Sequence, residues 1–148
     1  MKKIFFLLLS FLTITCFSQE ETVIGIVDSN SLELPFAEVE QMPIFQGCEG
    51  VKEEEILKCF KTKINQHIVK HFKYPEDART QNIEGKVMVH FTINTEGEVD
   101  NIQILGAHSI LRQAARHIFE ALPKMEPGIH EGEPVNVRFT IPLNFKLT

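Results

Sequence analysis

Two cysteines and two histidines have the types and spacing that could do chemistry: Cys48 and Cys59, then His67 and His71 at i and i+4. Thiols and imidazoles in one stretch suggest a metal site, a thiol-redox centre or a structural disulfide. The gap between the cysteines is far wider than the spacing of structural zinc ligands. The chain has no Cys-x-x-Cys, no His-Glu-x-x-His and no nucleophile elbow, and its six histidines are scattered. A thiol or metal enzyme is therefore the weakest reading, and neither a metal nor a cofactor is expected. A Cys48–Cys59 disulfide is the natural pairing in a compartment where thiols are oxidised. It would tie the irregular approach at 46–50 to the helix that follows, contributing about 2 to 3 kcal/mol for so short a loop.

The N-terminus points to such a compartment. Met1-Lys2-Lys3 is basic, and Ile4 to Phe17 is apolar apart from Ser10, Thr13 and Thr15. As a helix this stretch would rise about 21 Å, short of the roughly 30 Å hydrocarbon core, so a removable secretory signal is expected over 1–18, with the cut before Gln19. The alternatives are lipidation at Cys16, where Thr15 and Thr13 occupy places that usually take small and large aliphatic residues, or retention of residues 4–17 as an inner-membrane anchor. The chain of 148 residues suits one domain, with 19–50 an irregular lead-in and 51–148 the domain proper. A composition of 43% hydrophobic and 24% charged residues excludes a disordered tract. With 15 Lys plus Arg against 20 Asp plus Glu and no basic run, a nucleic-acid partner is excluded as well.

The elements that must position any site follow from periodicity. Ile56, Leu57, Phe60, Ile64, Ile68 and Phe72 form one apolar helical stripe, which Tyr74-Pro75 stops, and 76–82 predicts a further helical turn. Val87, Val89, Phe91 and Ile93 alternate as a strand. A turn at 94–97 returns the chain into 99–105, with a bulge expected near Asp100-Asn101. Ser109 is the expected N-cap of a second helix carrying Ile110, Leu111, Ala114, Ala115, Ile118, Phe119 and Leu122. The longest alternation, from Val135 to Leu147, predicts the last strand. Apolar pieces at Val23–Val27 and Val39–Phe45 suggest one short extra strand near the N-terminus.

The order helix, strand, strand, helix, strand predicts a two-layer α+β fold, with two helices covering a three-stranded antiparallel sheet. A right-handed crossover brings the last strand beside the first, giving the order second, first, last. The last strand is then an edge, as Pro142 also suggests. An edge offers free N–H and C=O groups to an extended peptide. The candidate partner-binding residues are Val135, Asn136, Val137, Arg138, Phe139, Thr140 and Ile141. Equally, Pro142 and Lys146 could simply blunt a passive edge.

Tyr74-Pro75 with Ala78, Ile83 and Gly85, the Val87–Ile93 alternation, Gly97 and Val99 form a recognisable series. Leu111, Ala115, Leu122-Pro123, Pro127-Gly128 and Gly132 continue it, and Val135 to Pro142 with Phe145 closes it. Together they resemble the C-terminal domain of TonB-type energy transducers, over about 74–147. The resemblance implies a periplasmic domain whose last strand pairs with the TonB box of outer-membrane receptors and transmits force from an inner-membrane motor. It also implies a second partner contact between Tyr-Pro and the first strand, where Arg79 stands in place of the glutamine of some members. Met125 replaces an aromatic residue often found after Leu-Pro.

The expected function is thus a periplasmic module, not an enzyme, that recognises an extended segment of a TonB-dependent receptor or another envelope protein by strand addition. A homodimer through its edges is the other partner that fits. The alternative role is an anchored short energy transducer, although the segment between Gln19 and Val51 extends at most about 110 Å.

Overall fold

The computed structural model describes residues 39–148. Residues 1–38, which include the expected signal and the Val23–Val27 piece, lie outside them. Helix α1 (Glu53–His71) begins with Glu53, Glu54 and Glu55 and ends with Lys70 and His71, a charge order that complements the helix dipole. Ile56, Phe60, Ile64 and Ile68 form its buried stripe. The short α2 (Glu76–Thr80) follows Tyr74-Pro75. Strands β1 (Gly85–Ile93) and β2 (Val99–Gly106) form the hairpin, α3 (Ser109–Glu120) crosses back, and β5 (Val137–Phe145) lies antiparallel to β1. The sheet order is β2-β1-β5, the second-first-last order that the crossover rule requires.

The core lies between this sheet and the two long helices. Val87, Val89, Phe91 and Ile93 of β1 and Val137, Phe139, Ile141, Leu143 and Phe145 of β5 point into it. Four rings join the elements in a row. Phe60 of α1 stacks on Phe139 at 5.0 Å, Phe139 on Phe91 at 5.4 Å, and Phe91 meets Phe119 of α3 at 5.2 Å. Such ring pairs add about 0.5 to 1.5 kcal/mol each beyond their buried area. Helix α1 therefore supports β5, while α3 lies against β2 and β1.

Three local expectations change in the structure. The N-cap of α3 is His108 rather than Ser109, because the His108 ring nitrogen accepts from Ile110 N at 3.3 Å. The end of the lead-in packs on the domain, with Phe45 and Cys48 buried and Gln41 and Ile44 bridging to Ile129 and Glu126. The Val39–Phe45 piece thus makes isolated bridges rather than a strand. Finally, the last strand is not continuous from Val135. A small hairpin of β3 (Gly128–His130) and β4 (Glu133–Val135) precedes β5, closed by Glu131 and Gly132 at φ 49° and 76°. Two successive residues at positive φ form the tight turn whose twist suits a hairpin.

The β1–β2 hairpin has its bulge where expected. His90 faces Gln103 but Thr92 faces Asp100, so Asn101 and Ile102 share one place opposite Phe91. Gly97 in the connecting loop has φ +80°, and a Cβ there would sit 1.7 Å from the Met125 carbonyl oxygen. Only glycine fits that approach.

Candidate partner-binding edge

Pro142 decides which way the backbone of β5 points. Facing residues of an antiparallel pair alternately exchange two N–H···O bonds or none. Pro142 faces Met88. Without an N–H it cannot belong to an exchanging pair. Arg138 and Thr140, at even steps from it, therefore also turn their N–H and C=O groups away from β1. Val137, Phe139 and Ile141 bond to β1 instead. The far side of the sheet agrees with this alternation. With the backbone of Met88 turned toward β2, the carbonyls of Ile102 and Gly106 point outward from β2. Those carbonyls accept hydrogen bonds from Arg116 Nη2 at 3.2 Å and Arg112 Nη1 at 2.8 Å.

The structure distributes the sequence-predicted residues unevenly. Val137, Phe139 and Ile141 are buried in β5, Arg138 is exposed, and Thr140 is half-buried with Oγ1 2.8 Å from His90 Nδ1. Val135 is instead in β4, paired with Gly128. Asn136 falls between the two strands, and its Oδ1 accepts from Thr95 N at 3.2 Å. Among the described residues no strand pairs with the outer side of β5. Arg79 is exposed on α2, well separated in the chain from this edge. What ties α2 to β5 is Tyr74, whose hydroxyl donates to Ile83 O at 2.6 Å and whose ring meets Phe145 at 6.0 Å. Burial raises the Tyr74 pKa above its ordinary value, with Glu84 adding to the effect. The hydroxyl therefore stays protonated as a donor.

Cys48, Cys59 and His67 have structural roles. Cys48 and Cys59 form a disulfide with Cα atoms 6.0 Å apart. His67 Nε2 lies 2.8 Å from Ile118 O, joining α1 to α3, and its ring stacks on His71 at 4.3 Å. Burial chiefly lowers the His67 pKa, and His71 and Lys70 lower it further, against the opposing effect of the Ile118 carbonyl. Among the described residues no group of His, Cys, Asp or Glu is placed to hold a metal ion. The chemistry this surface can perform is backbone recognition. Sequence reasoning missed Arg112 and Arg116, whose side chains reach back from α3 to the carbonyls of β2. Their spacing, one helical turn apart directly after a strand, was the available signal.

A family model described as the Gram-negative bacterial TonB protein C-terminal matches residues 70–147. Protein TonB of Helicobacter pylori (strain ATCC 700392 / 26695) is 34% identical over 82 residues, covering 51% of this chain and 29% of that protein. Protein TonB of Pseudomonas aeruginosa is 36% identical over 76 residues, covering 50% of this chain and 22% of that protein. The chain thus matches less than a third of the length of these relatives. The solution structure of the Helicobacter pylori TonB C-terminal domain is 31% identical and covers 68% of this chain and 87% of that one, with a TM-score of 0.48. For the Pseudomonas aeruginosa domain the values are 31%, 51% and 77%, with a TM-score of 0.42.

Proposed function

The chain belongs to the TonB C-terminal family, and from that premise we propose that the outer side of β5 takes up an extended segment of an envelope partner by strand addition. The module is periplasmic and non-catalytic. The class of partner is a TonB-dependent outer-membrane receptor, and the segment is its TonB box. The observation that carries this reading is the regular pairing of β5 with β1 from Val137 to Phe145, with the backbone of Arg138 and Thr140 directed outward by the parity of Pro142. A visiting strand gains main-chain hydrogen bonds there, and the pairing weakens at Pro142, which has no N–H to give. Arg79 is the second proposed contact.

The test separates the edge from the fold. Amide resonances of the full chain are followed during titration with a synthetic TonB-box peptide. Shifts are expected at Arg138 and Thr140. Thr140→Pro removes an outward N–H and leaves the ladder to β1 intact, so it should abolish binding while the variant stays folded. Unchanged binding by Thr140→Pro sinks the reading. Sedimentation of the chain alone tests the competing occupant, a second copy: concentration-dependent dimerisation abolished by Thr140→Pro would give the edge to the homodimer. For the N-terminal segment, we propose export with cleavage before Gln19. Sequencing of the exported protein should start at Gln19, and an intact Met1 would favour the anchored form.

A further inference from the structure

Main-chain pairing is nearly blind to sequence, and a visiting strand can slip by two residues without changing which face each side chain occupies. Something on the open face of the sheet must choose the register. Four side chains of the edge region are candidates: Asn136, Arg138, Thr140 and Pro142. Asn136 is engaged by Thr95 N and Thr140 by His90. Pro142 is buried. Arg138 is exposed, and among the described residues its guanidinium has no hydrogen bond or ion pair. It is also the only cation between Asn136 and Pro142.

Its surroundings are rich in donors. Arg138 borders a concavity of about 300 Å3 on the open face, whose walls include Thr92, Asn101 and Gln103 but no carboxylate. The nearest acid in the same row across the sheet is Asp100, opposite Thr92, and its Oδ1 already accepts from Asn101 N at 2.7 Å. A strand added beyond β5 places one side chain beside Arg138 on this face, with Cβ atoms about 4.5 to 5.5 Å apart. That spacing suits the planar guanidinium fork, which binds carboxylates through paired hydrogen bonds.

We propose that Arg138 sets the specificity of the β5 edge by pairing with an Asp or Glu side chain of the visiting strand, held beside it on the open face. The ligand class is an extended peptide in which that acid alternates with apolar residues lying next to Val137, Phe139 and Ile141. This rests on the strand-addition reading and adds to it a choice of register. Because the pair is exposed to water, its effect is on selectivity more than on total affinity.

The probes are blocked peptides Val-Thr-Val-X-Val-Thr-Val with X as Glu, Gln or Lys, titrated into the full chain and read from the residue-138 amide and, except in Thr140→Pro, which has no N–H there, from the Thr140 amide. The Glu peptide should bind about fivefold tighter than the Gln peptide, and the Lys peptide should be weakest. Arg138→Glu should invert the order, and high salt should compress it. Equal affinity for the three peptides, all lost in Thr140→Pro, overturns the role of Arg138 and leaves strand addition standing. If no peptide shifts these amides, or Thr140→Pro binds as the parent does, strand addition falls and the Arg138 proposal falls with it.

Discussion

On β2, the extra residue at Asn101 breaks the edge of the sheet, and Arg112 and Arg116 reach from α3 to its outward carbonyls at Gly106 and Ile102, with Arg112 also bonding Ala107 O. On β5, at the other edge, pairing to β1 runs from Val137 to Phe145 without a shift of register, and among the described residues no side chain bonds the outward groups of Arg138 or Thr140. Natural sheets blunt edges to prevent unwanted pairing. Here bulge and arginine caps protect one edge, while within the other strand the blunting feature is Pro142, followed by Lys146 just past its end. The asymmetry supports the proposal that a visiting strand docks on β5, and it makes the caps as informative as the proposed site.

The largest expected effect breaks the parity of β5. Ile141→Pro removes an inward N–H from the ladder and a fully buried side chain, and should cost at least about 3 kcal/mol in urea unfolding. Thr140→Pro, one residue away, should cost about 1 kcal/mol, since it loses mainly the His90 contact. Equal costs at the two positions would show that the outward alternation is wrong. Next, Cys48→Ser with Cys59→Ser should remove about 2 to 3 kcal/mol. Cys59 precedes Phe60, which stacks on Phe139 under β5. Peptide affinity in the folded double variant should nevertheless hold, and its loss would mean that the lead-in helps to shape the edge.

Smaller effects concern the protected side. Arg112→Ala with Arg116→Ala should cost about 1 kcal/mol, because the released carbonyls are solvated. Deleting Asn101 in that background restores a regular β2 ladder, and sedimentation should then detect self-association that neither change alone produces. A still monomeric protein would mean that the caps and bulge do not guard this edge. The smallest effect tests His67, which joins α1 beneath β5 to α3 beside β2. Its folded-state pKa is lowered from 6.5, so the unfolded chain takes up this proton first as the pH falls. Stability should decline as pH drops through 6.5 and level off below the folded-state value. Thermal melts of His67→Gln should lack this component.

Most of the fold was legible because periodicity is a local signal. The α1 stripe, the β1 alternation and the bulge near Asn101 each come from a single stretch of chain. The break before β5 was not legible. Val135 continues the alternation perfectly, yet Glu131 and Gly132 take positive φ and pair it with Gly128. Glu-Gly is not the Asn-Gly or Asp-Gly pair that marks such a turn in a sequence. The cap of α3 was missed for a related reason, since His108 is a less common cap than the serine beside it.

Sequence alone determined the two-layer architecture, the strand order and the pairing of Cys48 with Cys59, because hydrophobic spacing, crossover handedness and short cysteine separation leave few alternatives. It also marked the last strand as an edge, because Pro142 has no N–H to give a second neighbour. Only the tertiary structure decided which amides of that edge face outward, where the strand begins, and that the opposite edge is capped by arginines from α3. Those properties depend on register between segments far apart in the chain, and a pattern within one segment carries no information about the residue that will come to lie across from it.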